Sequence, residues 1–430
     1  MVRSDDERPA VCLSTQLLAT YKVANDAYYT ERRLAHAAEV QQRGGAAVQN
    51  NGYDDEHGNY IVQIGEEIHG RFLVKELLGR GSFGVVVKAL DQRREDMVAV
   101  KIIRNRPSFT SQALSEINIL TELNEAAKED DHIVRLRKYF SWQSHLCLVF
   151  ELLSFNLYDL IKFTRFSGVS LGLVRKFSFQ LTKSLNALRS LPNPIIHGDL
   201  KPENILLQNP KRSSIKLIDF GSSCYVTRTI YRYIQSRYYR SPEVILGLPY
   251  DCGIDTWSLA CILIELYTGH PVFGGRTELE QLHAIRYVVG DVPDEMLSKA
   301  PKFDDFYIRD KSNAAHLRPL PSNAANGGTD IHVSNAPAVP HEPEAVKFRL
   351  RSLLAAKKAE AAPMGTEQSD FNRLPPAAAS EDDRESLIDL LEGMLRYDTA
   401  SRTCPAEWLK HRWLAPLLTS PSHNASAQGR

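Results

Sequence analysis

The residues best suited to chemistry lie in the segment HGDLKPEN at 197–204, and fourteen further residues separate it from the aspartate of a DFG segment, Asp219. Asp199 is suited to accept a hydrogen bond from a hydroxyl group, and Lys201 is suited to neutralise a phosphate. Asn204 and Asp219 offer the oxygen ligands that Mg²⁺ prefers. Phosphoryl transfer needs this set, because its transition state requires positioning and charge neutralisation more than covalent chemistry. The spacing therefore predicts a phosphoryl-transfer site.

Each of these residues, taken alone, has an ordinary structural explanation. Asp199 and Asn204 fit turns, and Lys201 fits a solvated surface position. The joint spacing favours the chemical interpretation. His197, in contrast, is expected to be a packed, hydrogen-bonded histidine rather than a base or a ligand.

A glycine-rich turn precedes this segment, with the sequence GRGSFGVV at 79–86. Dinucleotide-binding turns share the glycine pattern, but they open a helix and need an acidic residue about twenty positions later. Here valines favour a strand, so a strand–loop–strand hairpin over ATP phosphates fits better. The residues expected at the phosphates are Gly79, Arg80, Gly81, Ser82, Phe83 and Gly84. Phe83 fits either a shield against water or an aromatic resting on the surface.

Lys101 ends the apolar run VAVK at 98–101. A lysine among apolar neighbours is costly to bury unless it is paired, and Glu116 in the next helical segment is a suitable partner. The functional interpretation places Lys101 on the α- and β-phosphates of ATP, held there by Glu116. A surface lysine with its aliphatic stem packed down is the alternative.

The elements that must position these residues change along the chain from strands to helices. Hydrophobic periodicity predicts one helix at 112–123 and a mostly helical pattern from 157 to about 413. Strands are predicted at 73–78, 85–89, 97–103 and 146–150, with a shorter strand-like run at 60–62.

Three other parts of the chain do not have the texture of a folded core. Residues 1–48 fit either a helix or disorder. The segment at about 312–382 is rich in Ala, Pro, Asn and Ser, and this composition predicts a poorly ordered insertion. Residues 414–430 are predicted to form a flexible tail.

The composition is that of a globular protein with balanced charge. Lys plus Arg and Asp plus Glu both number 52, which does not indicate a nucleic-acid or membrane partner. The six cysteines are scattered singly, which favours reduced thiols over a zinc module or a redox pair. The first ten residues lack the apolar core of a secretory signal. We therefore expect an intracellular protein, in the cytoplasm, the nucleus or both.

Together, these residues resemble the eukaryotic protein kinases over residues 72–413. The resemblance implies an α+β, bilobal protein-kinase fold with a small β-rich N-lobe (72–150), a hinge (151–153) and a larger, mostly helical C-lobe (154–413). It implies ATP and Mg²⁺ as cofactors. The further residues that it implies around the nucleotide are Val86, Ala99, Phe150, Glu151, Leu153 and Leu206. The apolar ones among them fit a generic core equally well.

Three residues match structural positions of the kinase family. Glu243 and Arg402 are expected to form a buried ion pair, which is costly to break from one side. Asp255 is expected to cap the backbone of the segment at 197–204.

The segment YRYIQSRYYRSPE at 231–243 narrows the resemblance to the dual-specificity tyrosine-regulated (DYRK) family of the CMGC group. Residues 49–71, which contain NGYDDE, are similar to that family's homology box. The resemblance implies that the kinase phosphorylates its own Tyr233 in cis. The phosphate on Tyr233 would then sit against Arg237 and Arg240. A solvated basic patch is the alternative for the two arginines.

Two further positions, one in this segment and one in the segment at 197–204, bear on regulation. Tyr231 fits a secondary phosphorylation site or, more simply, a packing role. Gly198 stands where the DYRK family has a cysteine and most kinases have an arginine. It therefore cannot bind a phosphate of the activation loop through its side chain.

The implied function is an ATP-dependent kinase acting on Ser and Thr of protein substrates, with tyrosine autophosphorylation. Proline after the phosphorylated residue and arginine before it are the expected preferences, with Asp159 and Glu203 as candidates for attracting arginine or as merely solvated acids. A catalytically weak kinase-fold scaffold is the alternative. We expect a monomer whose N-terminal extension and insertion bind partners.

Overall fold

The computed structural model describes residues 49–126, 128, 131–229, 231, 233–320, 342–356, 380–402 and 404–418. The chain divides into two compact units. Among the described residues, one comprises 49–114 with Leu136–Leu152, and the other comprises those of Ser115–Arg135 and those from Leu153 onward. The first is β-rich and the second mostly helical, which confirms the predicted α+β class. Within the described ranges, no helix has both the length and the apolar character needed to cross a membrane.

Six antiparallel strands form the sheet of the β-rich unit, in the order β1-β2-β3-β4-β6-β5. They are β1 Glu67–Ile68, β2 Phe72–Gly81, β3 Gly84–Asp91, β4 Asp96–Ile103, β5 Leu136–Trp142 and β6 His145–Glu151. The sequence pattern does not predict β5. Its two buried residues, Leu136 and Phe140, are four positions apart, so the alternation that marks a half-buried strand is weak.

Alternation along β3 and β4 gives the sheet a core face and a less buried face. The side chains of the core face are Val85, Val87, Val98, Val100 and Ile102. Val86 lies directly across from Lys101, and Ala99 lies directly across from Phe150. These four residues therefore share the less buried face of the sheet.

The segment that precedes the sheet is fastened to it by a buried carboxylate. Asp54, which is 2% exposed, accepts hydrogen bonds from Asn50 Nδ2 (3.0 Å), Asn105 Nδ2 (3.0 Å) and His145 Nε2 (2.7 Å). The run beginning at Tyr60, which was expected to be strand-like, makes a single bridge to Asp54 and continues without strand structure. The segment is thus held by side-chain hydrogen bonds more than by backbone pairing.

The predicted helix at 112–123 is longer in the structure, where α1 spans Pro107–Ala126. Proline is tolerated in the first turn because its missing N–H would have no helical partner. Ala113, Ile117 and Leu120 are buried as the periodicity predicts, and Glu116 is buried with them. The division between the two units falls within this helix.

Helices form most of the second unit. They are α2 Leu157–Phe163, α3 Leu171–Arg189, α4 Pro242–Ile245, α5 Gly253–Thr268, α6 Glu278–Val289, α7 Asp294–Ser298, α8 Phe303–Phe306, α9 Pro343–Ala356, α10 Glu381–Met394, α11 Pro405–Trp408 and α12 Ala415–Leu418. Short strands pair two by two as β7 Ile195–Ile196 with β10 Cys224–Tyr225, β8 Ile205–Leu207 with β9 Ile215–Leu217, and β11 Tyr307–Arg309 with β12 Ala315–Leu317. α5 is buried along most of its length and packs against α3, α9 and α10.

The prediction of a poorly ordered insertion at 312–382 is wrong where α9 and β12 form. Val346, Leu350 and Leu354 recur every four residues and are buried, and α9 packs against α6 and α10. Flanking Ala- and Pro-rich sequence obscures this narrow apolar stripe. The predicted tail from 414 also begins too early, because Leu414 is buried and α12 follows it. Residues 1–48, 321–341 and 357–379 lie outside the described residues.

Candidate active site

The segment at 197–204, which we call the catalytic segment, is held between β7, β8 and a buried carboxylate. Asp255 in α5 is 2% exposed and accepts hydrogen bonds from the backbone N–H groups of His197 (2.7 Å) and Gly198 (2.9 Å). Burial raises the pKa of Asp255, while the hydrogen bonds from the two N–H donors oppose the shift. The capping contacts expected of Asp255 are therefore present.

The carboxylate of Asp199 is fixed by four donors, one of which is Asn204 Nδ2 at 3.3 Å from Oδ2. Oδ2 accepts a hydrogen bond from Lys201 Nζ (2.6 Å), and Oδ1 accepts from the hydroxyl (2.7 Å) and the backbone N–H (3.2 Å) of Ser236. Lys201 Nζ also donates to the Ser236 hydroxyl at 3.3 Å. The structure thus brings Asp199 and Lys201 together and adds Ser236, which the sequence analysis missed. Serine is common in loops, so its type and position carried no signal.

Replacement of Ser236 by alanine is expected to lower kcat by about 10- to 100-fold. A hydrogen bond to a charged group contributes about 1.5–3 kcal/mol, and about 1.4 kcal/mol corresponds to tenfold in rate. Steady-state kinetics with a peptide substrate measures the effect. Ser214→Ala, which removes a hydroxyl bonded to Gln208 at 2.6 Å, serves as the control. Equal kcat values for the two variants would show that Ser236 does not position Asp199.

His197 is hydrogen-bonded through both ring nitrogens. Nδ1 faces the backbone N–H of Asp199 (3.2 Å) and must accept, whereas Nε2 faces the carbonyl oxygen of Ile218 (3.0 Å) and must donate. This pattern requires the neutral imidazole. His197 therefore has the packed position expected from the sequence, with no nitrogen left to act as a base.

Asn204 and Asp219, the predicted magnesium ligands, belong to neighbouring stretches of the second unit. The N–H of Ile218 donates to the carbonyl oxygen of Asn204 at 3.0 Å. The side-chain nitrogen of Asn204 donates to the carbonyl oxygen of Asp199 at 2.9 Å, so the amide oxygen is the atom suited to a cation. An amide oxygen and a carboxylate, completed by phosphate oxygens, fit Mg²⁺. Across the described residues, no cluster of three or more His, Cys, Asp or Glu forms an all-protein metal site.

The glycine-rich turn joins β2 to β3 as an antiparallel hairpin, with Gly81 directly across from Gly84. The strand–loop–strand interpretation therefore holds, and a strand-to-helix dinucleotide turn is ruled out. Gly84 has φ +145°, and a methyl group on it would lie 2.1 Å from the carbonyl oxygen of Ile102. A side chain at this position would push β3 and β4 apart. Gly79, Arg80, Gly81 and Ser82 are exposed around it.

Phe83, at the tip of this turn, is half-buried against its own unit. Its ring meets that of Phe109 edge-on at 6.0 Å, and Lys101 Nζ lies 5.6 Å from its centroid. These contacts hold the aromatic ring beside the less buried face of the sheet. Glu116 lies on α1, and its pairing with Lys101 stays a prediction.

The remaining residues expected around the nucleotide lie in both units. Glu151 ends β6, Leu153 begins the second unit's larger part, and Leu206 is a half-buried residue of β8. Their roles toward the purine stay predictions.

Tyr233 and Arg240 are in contact within the activation segment, which we define as residues 219–243. The Arg240 Cζ atom lies 3.9 Å from the centroid of the Tyr233 ring. Hydrogen bonding to Arg240 lowers the pKa of Tyr233, and the charges of Arg240 and Arg237 act in the same direction. Arg240 is 1% exposed and pairs with Glu278 at 2.7 Å, so a solvated patch is the wrong description of it. Arg237 is exposed and donates to the carbonyl of Arg276.

Tyr231 has the packed position that the sequence analysis offered as the simpler alternative. It is half-buried against an apolar cluster, and its carbonyl oxygen accepts a hydrogen bond from the Tyr250 hydroxyl at 2.8 Å. Burial raises the pKa of Tyr231. The members of this cluster are Ile196, Cys224, Ile234, Val244 and Ile254.

Glu243 and Arg402 form the expected buried pair. Arg402 Nη2 lies 2.8 Å from Glu243 Oε2, and Nη1 donates to the second carboxylate oxygen and to the carbonyl oxygen of Gly253 (3.1 Å). Both side chains are at most 2% exposed. The pair ties the end of the activation segment to the chain that follows α10.

A cleft of about 390 Å³ opens beside Lys201 and Ser236 in the second unit, and two carboxylates, Glu203 and Glu265, line it. Glu265 is 2% exposed and accepts a hydrogen bond from the Tyr239 hydroxyl at 2.7 Å. Burial raises the pKa of Glu265 to about 7, and that hydrogen bond opposes the shift. The sequence analysis missed Glu265, because a glutamate within the apolar run of α5 gives no sign of a cleft.

A protein kinase consists of a β-rich unit with a glycine-rich hairpin and a mostly helical unit that carries the catalytic segment, and this chain has each of them. A family model described as "Protein kinase domain" matches residues 72–414, and the chain belongs to this family. Within the kinases, it is a member of the DYRK family of the CMGC group, as its similarity to the following relatives shows.

Three relatives carry this assignment. The chain is 52% identical over 252 residues to "Dual specificity tyrosine-phosphorylation-regulated kinase 2" of Drosophila melanogaster, covering 58% of the chain and 35% of that protein. It is 39% identical over 385 residues to "Dual specificity tyrosine-phosphorylation-regulated kinase mbk-2" of Caenorhabditis elegans, covering 88% of the chain and 42% of that protein. The kinase of the same name from Caenorhabditis briggsae is 39% identical over 379 residues, with shares of 88% and 43%. The chain thus spans less than half the length of each of these relatives.

Proposed function

We propose that the chain is an ATP-dependent protein kinase that phosphorylates Ser and Thr residues of protein substrates and phosphorylates its own Tyr233. The observation that carries the proposal is the carboxylate of Asp199, fixed by Lys201 and Ser236 beside an acid-lined cleft. A positioned carboxylate next to a lysine is the arrangement that phosphoryl transfer to a hydroxyl requires.

In this mechanism, the substrate hydroxyl donates a hydrogen bond to Asp199, which orients its oxygen for attack on the γ-phosphorus of ATP. The new oxygen–phosphorus bond forms as the bond to the ADP oxygen breaks, and the hydroxyl proton passes to Asp199. Lys201 stabilises charge on the transferred group, and Lys101 holds the α- and β-phosphates. Asn204 and Asp219 would hold Mg²⁺, which when bound neutralises phosphate charge.

The finer preferences in the proposal concern substrates and regulation. Glu203 and Glu265 in the cleft suit an arginine of the substrate, and the relatives' names support dual specificity. Phosphate on Tyr233 would meet the guanidinium groups of Arg240 and Arg237. A monomeric state, the cytoplasm or nucleus as compartment, and partner binding by the N-terminal extension and insertion stay predictions from the sequence.

Incubation of the purified chain with labelled ATP, Mg²⁺ and a basic, proline-containing peptide tests the proposal. We expect label on Ser or Thr of the peptide and, in freshly purified protein, phosphate on Tyr233. The Lys101→Arg variant should show neither label on the peptide nor phosphate on Tyr233. Loss of both signals would exclude a contaminating kinase as their source. A scaffold would bind nucleotide weakly or not at all, and neither its wild-type form nor its Lys101→Arg variant would transfer phosphate.

The preference for an arginine-containing peptide is expected to rise as pH increases from about 6 to about 8. The pKa of Glu265 is raised to about 7, so the carboxyl is mostly neutral below this value and ionised above it. Its ionised fraction then grows roughly tenfold over this interval, while the peptide guanidinium stays charged. The ratio of kcat/KM for peptides with and without the arginine measures this change, because titrations that affect both peptides equally cancel in the ratio. Glu265→Gln should give a flat ratio, and a ratio that still rises would assign the effect elsewhere.

A further inference from the structure

The acid-lined cleft extends past the C-terminal end of α5. Asp255, which anchors the catalytic segment, and Glu265 both lie in this helix, about 15 Å apart along its axis. Gly269 follows the last residue of α5 and lies one turn beyond Glu265, about 6 Å further along the axis. Gly269 and His270 line the cleft. The cleft therefore continues beyond the carboxylates that are proposed to bind a substrate arginine.

Aromatic side chains form the wall of the cleft at this far end. Phe166 is 42% exposed, and its ring lies nearly parallel to that of His270, with the two centroids 6.1 Å apart. Both rings line the cleft, and so does Pro271. We call Phe166, His270 and Pro271 the aromatic wall. An imidazole can carry a positive charge but not a negative one, so none of these three side chains can form an ion pair with a cation.

The backbone that presents Phe166 is held in an uncommon conformation. Arg165 and Phe166 have φ values of +53° and +60°, which residues with a side chain rarely adopt. A methyl group on Gly269 would lie 1.8 Å from the carbonyl oxygen of Phe166, so a glycine is required where the two stretches meet. The N–H of Val169 also donates to Leu266 O at 2.7 Å. Strain of this kind under a partly exposed aromatic ring indicates a role for the ring beyond packing.

We propose that the aromatic wall is a substrate subsite for an aromatic side chain upstream of the substrate arginine, with Phe166 as the specificity-determining residue. The inference rests on the proposed function, in which the arginine lies at Glu203 and Glu265 and precedes the phosphorylated residue. Because the wall lies farther along α5 than Glu265, the chain before the arginine runs toward it. An extended chain advances about 3.3 Å per residue, so the distance of about 6 Å from Glu265 to Gly269 corresponds to about two residues. The wall should therefore contact the side chain about two positions before the arginine.

An aromatic side chain suits this wall better than a second cation. Aromatic rings gain from offset or edge-on packing in addition to the apolar area that they bury. A cation could lie over the Phe166 ring, but the wall offers it no carboxylate. The wall touches none of the reacting groups, so an aromatic side chain bound there should lower KM and leave kcat nearly unchanged.

Steady-state kinetics with a set of peptides tests the subsite. Each peptide carries a serine followed by proline, an arginine at a fixed upstream position and alanine before the arginine. Phenylalanine then replaces alanine at each of the upstream positions in turn. We expect phenylalanine about two positions before the arginine to raise kcat/KM by about 5- to 20-fold, the gain for burying part of an aromatic ring. A second arginine at that position should give a smaller gain.

Substitutions of Phe166 should change this gain according to whether they keep the ring. Phe166→Ala should reduce the gain to less than about twofold, whereas Phe166→Tyr should retain it. Phe163→Ala is the matched control and should keep the full gain. Phe163 lies three residues earlier, is 69% exposed and packs edge-on against Phe155 at 5.2 Å, outside the cleft. Each gain is a ratio for two peptides on one variant, so a general change in activity cancels.

Binding of peptides with alanine in place of the phosphorylated serine, measured by fluorescence anisotropy, gives the same preference without catalysis. The subsite is refuted if phenylalanine gives no gain at any position, if arginine gives the larger gain, or if Phe166→Ala keeps the gain as fully as Phe163→Ala does. Should Phe166→Ala fail to fold, His270→Ala removes the other ring of the wall and should lower the gain; an unchanged gain would then refute the subsite. A wild-type chain that prefers the phenylalanine peptide in binding but transfers no phosphate would refute the proposed function and support the subsite.

Discussion

Asp199→Asn is expected to slow phosphoryl transfer to a peptide by about 10²- to 10⁴-fold, the usual contribution of a positioned general base. Asparagine keeps one oxygen that can accept a hydrogen bond from Lys201 or Ser236, but it carries no negative charge to attract the hydroxyl proton. Because Asn204 and Asp219 are unchanged, Mg-nucleotide binding should remain within a few-fold of wild type. Single-turnover labelling measures the transfer step, and the rise in melting temperature with Mg-ATP measures binding.

The control for this substitution removes a lysine-paired carboxylate outside the site. Glu295→Gln breaks the exposed pair with Lys299, whose atoms are 2.9 Å apart, and should leave kcat unchanged. A transfer rate for Asp199→Asn within about threefold of wild type would contradict the assigned role. Loss of transfer together with loss of the Mg-ATP-dependent rise in melting temperature would mean that the substitution acts on binding or folding instead.

The catalytic segment was open to prediction because its chemistry depends on short spacing along the chain. Asp199 and Lys201 are two residues apart, and the hydrogen bond between them needs only local geometry. The glycine-rich hairpin was equally accessible, since the valines after Gly84 alternate between the two faces of one strand. In each case, residue type and local periodicity act within the same element.

The contacts that sequence reasoning missed join residues that are distant along the chain. Ser236 reaches Asp199 across 37 residues, and Tyr239 reaches Glu265 across 26. Both depend on the path of the activation segment, which neither periodicity nor turn chemistry specifies. The burial of Arg240 was hidden for the same reason, because its partner Glu278 lies 38 residues further on. Tertiary placement therefore decides which polar residues of a loop take part in the site.

The buried pair of Glu243 and Arg402 has the largest expected effect on stability. Arg402 is fully enclosed: besides Glu243, its Nη1 donates to Gly253 O (3.1 Å), its Nε donates to Arg396 O (2.6 Å), and its Cζ lies 5.2 Å from the centroid of the Trp257 ring. These neighbours offer partial charges and a π face, but no second carboxylate. Removal of the glutamate charge would therefore leave an uncompensated guanidinium in a site that water does not reach.

Glu243→Gln is accordingly expected to lower the free energy of unfolding by about 3–5 kcal/mol. The chain offers a matched control in Arg351 and Glu385, which also meet through two hydrogen bonds of 2.8 Å but are 44% and 31% exposed. Because solvent screens that pair, Glu385→Gln should cost less than about 1 kcal/mol. Urea denaturation of both variants compares the two losses directly. Adding Arg402→Met to Glu243→Gln should restore part of the stability, because the stranded charge is then gone. Equal losses for the two glutamates would show that burial does not set the strength of this ion pair.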